Sequence, residues 1–255
     1  MSRFDRVAGI VRSLAIYHWI PFRQRRLRRL YAQFVSAGDL VFDVGAHAGN
    51  RARALSALGC RVIAVEPQPD FARLLRALFA TSADVQVIEA ALSDVVGRVA
   101  LSVSERTPTV TTIAASWREV RARESGFAGV RWNKQIEVEA TTLDALVDRF
   151  GVPRFVKIDV EGAEPRVLAG LSRPLPALSF EYLPTALDHA RDCLVRLDAL
   201  GPYRYNLSIG ESYRLASERW LTGAEVARAL ETPQAQRRAG DVYARLDPGT
   251  GAYPC

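Results

Sequence analysis

A row of carboxylates falls where short apolar runs of this chain end. Asp43 closes the run at 40–44, Glu66 the run at 61–65, and Glu89 follows 85–88 ahead of Ala90 and Ala91. Asp159 and Glu161 follow 153–158, and Glu181 lies at the end of 177–182. If these runs are strands of one open parallel sheet, the acids meet at its carboxyl edge, where such sheets bind ligands. An acidic edge repels phosphates and attracts a ligand that carries hydroxyls and a positive centre.

The runs are arranged to do this. Residues 41–49 form an apolar strand, an acid and a Gly-x-x-x-Gly turn, followed by a helical segment, a second strand and Glu66. A strand, a glycine turn, a helix and a strand closed by an acid about 20 residues on is the nucleotide-binding βαβ pattern. Gly45 and Gly49 supply the tight turn, which a cofactor site also requires. Glu66 has two readings: an acceptor for both hydroxyls of a ribose, or an acid that favours the start of the next helix. His47, inside the turn, is a structural hydrogen-bonding residue or a proton acceptor. In 155–160 the alternation of a strand sets Lys157 and Asp159 on one face, Ile158 and Val160 on the other. Charges on a central strand are costly unless paired or at a cavity, so this pair is either a structural ion pair or part of a site. Glu161 and Glu164 also suit the start of the helix that follows.

Strands read at 40–44, 61–65, 85–88, 97–103, 136–141, 153–158 and 177–182, with late strands at 203–207 and 242–246. Helices read at 50–58, 69–80, 142–149, 163–170, 186–199 and 222–231. Apolar strands alternating with helices predict an α/β fold: a mostly parallel, seven-stranded, doubly wound sheet with helices on both faces. Residues 104–135 lack periodicity and read as an inserted substrate loop or lid. Leu27, Leu30, Tyr31, Phe34 and Val35 recur at helical spacing and predict an amphipathic helix that ends near residues 37–39. Residues 1–38 are therefore expected to be a basic N-terminal extension packed on a 39–255 domain. Eight arginines and one acid fall within residues 1–30, so most of the net charge of +6 lies there and the remainder is near neutral. Those arginines read as a solvated helix face or as a contact with a membrane surface or an anionic substrate.

The 255 residues suffice for one large domain, 49% of them hydrophobic. The three cysteines, Cys60, Cys193 and Cys255, have neither disulfide nor zinc spacing, so a reducing, cytoplasmic setting is expected. No transmembrane run is present, and Arg12 and His18 interrupt the segment 7–22, which is not read as a signal peptide.

The motifs VFDVGAHAGN (41–50), VIAVEPQPDF (62–71), EAALSD (89–94) and VKIDVEGAEPRVLAG (156–170), with a compatible tail of YNLSIGESYRL, Trp220 and GDVYARL, resemble the FkbM-type methyltransferases, which use S-adenosyl-L-methionine. The resemblance spans about residues 25–250. His47 and Arg51 depart from the family's usual turn, and 104–135 has no counterpart. It implies a Rossmann-like class I methyltransferase fold with the late strand pair reversed at the edge. It further implies Asp43, Gly45, His47 and Gly49 at the methionine end of the cofactor, Glu66 on its ribose, Ala90, Ala91 and Leu92 near the adenine, and Asp159 where donor and acceptor meet. The cofactor has an ammonium and a sulfonium but no phosphate, which is what the acidic edge selects.

The expected reaction is O-methylation of a hydroxyl on a small molecule or sugar, an in-line displacement whose rate comes largely from alignment. The candidate general bases are Asp159, then Glu161, then His47, with Glu181 also placed to serve. Acceptor contacts are expected from Thr111, Trp117, Trp132, Lys157, Glu181 and Tyr182, and from Asn206 and Tyr213 in a late loop. An oxygen cluster of Asp159, Glu161 and Glu181 is the one route to a Mg²⁺ site; no metal is expected. Two other readings remain. A Rossmann-type NAD-dependent dehydrogenase shares the βαβ unit but needs G-x-G-x-x-G and no acid facing the pyrophosphate. A binding module for anionic partners would use the basic arm, although no nucleic acid is expected because the body lacks a basic face.

Overall fold

A computed structural model describes residues 22–103, 113 and 134–247 of the chain. Leu40–Val44 (β1) is buried along its whole length, as a strand covered on both faces must be. It pairs in parallel with Arg61–Val65 (β2) on one side and Phe155–Ile158 (β7) on the other. Val85–Ile88 (β3) extends the sheet beyond β2, and Ala177–Tyr182 (β8) extends it beyond β7, both in parallel. Tyr203–Ile209 (β9) and Gly240–Leu246 (β10) complete seven strands in the order β3-β2-β1-β7-β8-β10-β9. The late pair is reversed in order, with β10 inside and β9 at the edge. Only β10 runs against the rest, antiparallel to both β8 and β9.

Alternation along the strands sends their side chains into two layers. Phe42, Val44, Val156 and Ile158 pack with Leu143–Phe150 (α4), Glu164–Ala169 (α5), Leu187–Leu200 (α6) and Gly223–Leu230 (α7). Val41, Val62, Ala64 and Phe155 pack on the other side with Arg23–Tyr31 (α1), Asn50–Ser56 (α2) and Pro69–Leu78 (α3). The helices therefore lie on both faces, a doubly wound α/β fold of the class I methyltransferase type.

The runs 97–103 and 136–141 belong to a separate sheet and not to the parallel set. Ala91–Leu92 (β4), Gly97–Val103 (β5) and Lys134–Thr141 (β6) form it, in the order β4-β6-β5, with β5 and β6 antiparallel. The physical reason is a period-two pattern with one wet face. Glu137 and Glu139 point outward from β6 to Arg98 on β5, at 3.4 and 3.5 Å. The segment expected as an inserted loop joins β5 to β6. Of it, Lys134 and Gln135 already belong to β6, and Ile113 packs against the small sheet's apolar cluster. Thr111, Trp117 and Trp132 lie outside the described residues.

The amphipathic stripe of the N-terminal segment is buried, but α1 ends at Tyr31, short of the expected boundary. Phe34 follows it, stacks on Tyr243 with ring centroids 5.3 Å apart and packs in a tilted contact on Phe155 at 5.1 Å. This segment closes the α1–α3 layer of the core. Arg25, Arg26, Arg28 and Arg29 are exposed, but Arg23 is buried, its Nε donating to Tyr213 Oη at 2.7 Å. Among the described residues, no helix is long and apolar enough to cross a membrane.

Candidate active site

The chain reverses between β1 and β7, so the crevice at their carboxyl ends is the topological switch point of the sheet. The glycine turn folds across it. The amides of Gly45 and Ala46 both donate to Val65 O, at 2.9 and 3.0 Å, which ties the turn to the end of β2. Gly45 has φ +78°, and a Cβ there would sit 1.8 Å from Asp159 O. Gly49 caps α2 from the left-handed region and packs against Leu75 and Phe79.

Glu66 is stitched to this turn. Its Oε2 accepts the His47 amide and its Oε1 the Gln68 amide, both at 2.9 Å. Burial pushes its carboxyl up to about 7 against those two hydrogen bonds. Each oxygen has a second lone-pair direction for a further donor. Glu66 borders a cavity walled by the turn residues Gly45, Ala46, His47 and Ala48 and by Ala90, Ala91 and Leu92. Asp159 and Glu161 close its far wall, and Ile113 reaches it from the β5–β6 connection.

Beneath this cavity runs a layer of buried charge. Asp43, Lys157 and Asp241 come from β1, β7 and β10, with Asp43 and Lys157 directly in register. Lys157 is fully buried and donates to Asp241 Oδ1 at 2.7 Å and to Ile158 O at 3.1 Å, with Asp159 Oδ2 at 3.6 Å. Burial works against its charge, but Asp241 and Asp159 outweigh that and raise its proton affinity. Lys157 is therefore a buried counterion and does not face an acceptor. Asp43 is also below the cavity wall. It is 1% exposed, and neither carboxylate oxygen makes a well-formed hydrogen bond among the described residues. Burial pushes it up to about 6, opposed by Arg51 and Lys157.

Asp159 sits between two cations, Arg51 at 3.2 Å and Lys157. Burial would raise its proton affinity, yet Lys157 and Arg51 together hold it below the ordinary carboxylate range. It is thus a persistent anion and a weak base. The carboxylates of Asp159, Glu161 and Glu181 lie within 4.8 Å of one another. Glu181 is pushed well above its usual range by burial, then by Asp159, Glu161 and Glu164. Glu161 takes a left-handed φ of 54° and borders the cavity. His47, also left-handed at φ 47°, lays its ring on Phe71 with centroids 4.0 Å apart. Burial lowers its imidazole to about 4, so it is neutral and a weak base at neutral pH. Its described part here is to hold Glu66 through its backbone.

Other expected acceptor contacts are turned inward. Tyr182 is 1% exposed and packs in the α4–α7 layer, on the face of β8 opposite Glu181. Asn206 is 1% exposed and bonds Ser217 through both its amide nitrogen (2.8 Å) and its oxygen (3.1 Å). Tyr213 is held by Arg23. Glu89 pairs with Arg76 at 2.7 Å. Arg51, Asn50, Gln68 and Asp241 were not among the expected site residues. Arg51 and Asn50 open α2 beside the turn, so helix start was their available signal; Asp241 is remote in sequence and gave none.

The chain matches the family model described as "Methyltransferase FkbM domain" over residues 43–197, more than half its length. No curated protein matches it by sequence. Among solved structures, it is similar to an O-methyltransferase from Bacillus cereus in complex with SAH (12% identity, 96% of this chain and 89% of that chain, TM-score 0.48). It is also similar to a precorrin-6y C5,15-methyltransferase from Geobacter metallireducens GS-15 (14% identity, 88% and 86% covered, TM-score 0.46). Given the match that begins at Asp43 and runs through the glycine turn and the Lys157–Gly162 strand end, this chain belongs to the FkbM methyltransferase family.

Proposed function

We propose that the protein transfers a methyl group from S-adenosylmethionine to a hydroxyl oxygen of a small hydroxylated acceptor such as a sugar. The observation that carries this reading is the pairing of Glu66 with buried acids under the glycine turn. Glu66 offers two fixed oxygens to a ribose, beside the apolar wall of Ala90 to Leu92 that suits a flat base. Asp43 and Asp159 set negative charge where a dinucleotide would place its pyrophosphate, and favour a cationic ligand instead. That separates the reading from an NAD-dependent dehydrogenase.

When bound, the cofactor supplies an electrophilic methyl on a positively charged sulfur. Asp159, kept ionised by Lys157 and Arg51, holds a cationic group at the mouth of the crevice. Glu161 lends a second negative charge beside it. Glu181, whose proton affinity burial and its acidic neighbours raise where that of Asp159 is lowered, is the stronger base of the two and lies beside it, as a general base for the acceptor hydroxyl would. The order of candidate bases becomes Glu181, then Glu161.

Calorimetry with S-adenosylhomocysteine and NADH, followed by methyl transfer to a panel of hydroxylated acceptors with the product's methylated atom identified, tests the reading. Tight NADH binding without S-adenosylhomocysteine binding would overturn it. Activity is expected to survive EDTA and dialysis. Loss that Mg²⁺ restores would instead give Asp159, Glu161 and Glu181 to a divalent cation.

A further inference from the structure

A second cavity, of about 270 Å³, lies between α1 and the turn after β9, lined by Phe22, Arg25, Arg26, Arg29, Ser212, Tyr213 and Arg214. Arg25, Arg26, Arg29 and Arg214 pair with no carboxylate among the described residues. The nearest acid in sequence, Glu211, is already taken by an ion pair with Arg23. Four guanidinium groups therefore gather around one hollow. Planar guanidinium groups gathered from two elements match the oxygens of a phosphoryl group, which they bind in bidentate fashion.

The two walls are held together. Buried Arg23 bonds Tyr213 and Glu211, and so pins α1 to the turn. Tyr213 takes a left-handed φ of 51°, between Ser212 and Arg214 on the cavity wall. A merely solvated helix face would show the α1 arginines alone; here Arg214 arrives from a different element.

Its location connects it to the first cavity. β9 is antiparallel to β10, and β10 is antiparallel to β8, so β9 points its carboxyl end to the same edge as β1 and β7. The side-chain Nε2 of Gln24 donates to Asn50 O at 3.1 Å, and Asn50 lines the cofactor cavity. A basic hollow and an acidic crevice thus share one edge of the sheet, bridged by the first turn of α1. We propose that the Arg25–Arg26–Arg29–Arg214 cavity binds a phosphoryl group carried by the methyl acceptor, which makes the acceptor a phosphorylated hydroxyl compound such as a sugar phosphate. The acceptor part of this proposal rests on the methyl-transfer reading; the anion site does not.

The test is calorimetric titration of the full chain with inorganic pyrophosphate, for the wild type and for an Arg29→Ala/Arg214→Ala double variant. S-adenosylhomocysteine titration and thermal unfolding of both proteins serve as fold controls, since Arg29 is exposed and neither arginine lines the cofactor cavity. Pyrophosphate is expected to bind the wild type, and the double variant to bind about tenfold more weakly or worse, with S-adenosylhomocysteine affinity unchanged. No pyrophosphate binding by the wild type, or equal binding by the variant, would overturn the proposal. Co-sedimentation with phosphatidylcholine vesicles containing phosphatidylserine forms a second arm. Arginine-dependent vesicle binding without pyrophosphate binding would assign the hollow to lipid headgroups and overturn the acceptor assignment. Pyrophosphate binding without S-adenosylhomocysteine binding would overturn the methyl-transfer reading and leave the anion site standing.

Discussion

Two carboxylates of similar sequence context do different work because of what surrounds them. Asp159 faces Lys157 and Arg51 and stays charged; Glu181 faces Asp159, Glu161 and Glu164 and gains protons readily. Glu181→Gln is therefore expected to lower kcat by about a hundredfold or more with S-adenosylhomocysteine affinity intact, whereas Asp159→Asn should weaken that affinity. Stopped turnover in neither variant would remove both from the mechanism. Glu66 sets a pH dependence. Its carboxyl titrates near 7 in the free protein, and the ionised form is the better acceptor for ribose hydroxyls. S-adenosylhomocysteine affinity should rise as the pH increases from about 6 to 8. Glu66→Gln should bind about tenfold more weakly and lose that slope, which calorimetry across the pH range would read.

At the scale of elements, the site depends on how strands and helices close on one another. The glycine turn can sit on β7 only because Gly45 has no Cβ to strike Asp159 O. The N-terminal segment is part of the same construction. Phe34 fills the space over Phe155 and Tyr243, and Phe155 lies two residues before Lys157 on the same strand. Phe34→Ala should cost about 3–5 kcal/mol of stability, seen as a lower Tm. A change within error would show that the segment before β1 rides on the domain without supporting it. The small sheet was visible in the sequence as strands at 97–103 and 136–141, but not as a separate sheet. The alternation Glu137-Val138-Glu139 carries that information, since one wet face suits an antiparallel ribbon and not the parallel core.

The molecule as a whole stores several buried acids that hold their protons more tightly than an exposed carboxylate does. Asp43, Glu66 and Glu164 are pushed by burial to about 6, 7 and 7, above their ordinary values of 3.8, 4.5 and 4.5. Each holds its proton more tightly when folded, so its stabilising contribution is complete below the unfolded value and is lost as pH rises through the folded one. His47, lowered from 6.5 to about 4 by burial, acts oppositely and loses its contribution as pH falls through that window. Three groups outweigh one between pH 7.5 and 5.5. The ligand-free protein should therefore melt at a higher temperature at pH 5.5 than at pH 7.5. S-adenosylhomocysteine should raise Tm more at pH 7.5, where Glu66 is ionised. A ligand-free Tm that falls on acidification over this range would contradict the burial of these acids. Among the described residues, most of the buried charge gathers at this one crevice, with Arg23 buried apart from it against Tyr213 and Glu211.

The sequence by itself determined the βαβ unit, the positions of nearly every strand and helix, and the acidic edge. These follow from periodicity, glycine turns and the polarity of strand ends, all local properties that a linear reading can register. Only the tertiary structure decided what the acids and cations do. Lys157 faces Asp241, more than 80 residues away in the chain, and is thereby sealed in the interior. Arg51 meets Asp159 across the crevice and deprives it of basicity. Arg25, Arg26 and Arg29 become one wall of a hollow because Arg214 is folded opposite them. Proton affinity and counterion pairing depend on distances between strands, and pairwise distance is the quantity that spacing along a chain does not encode.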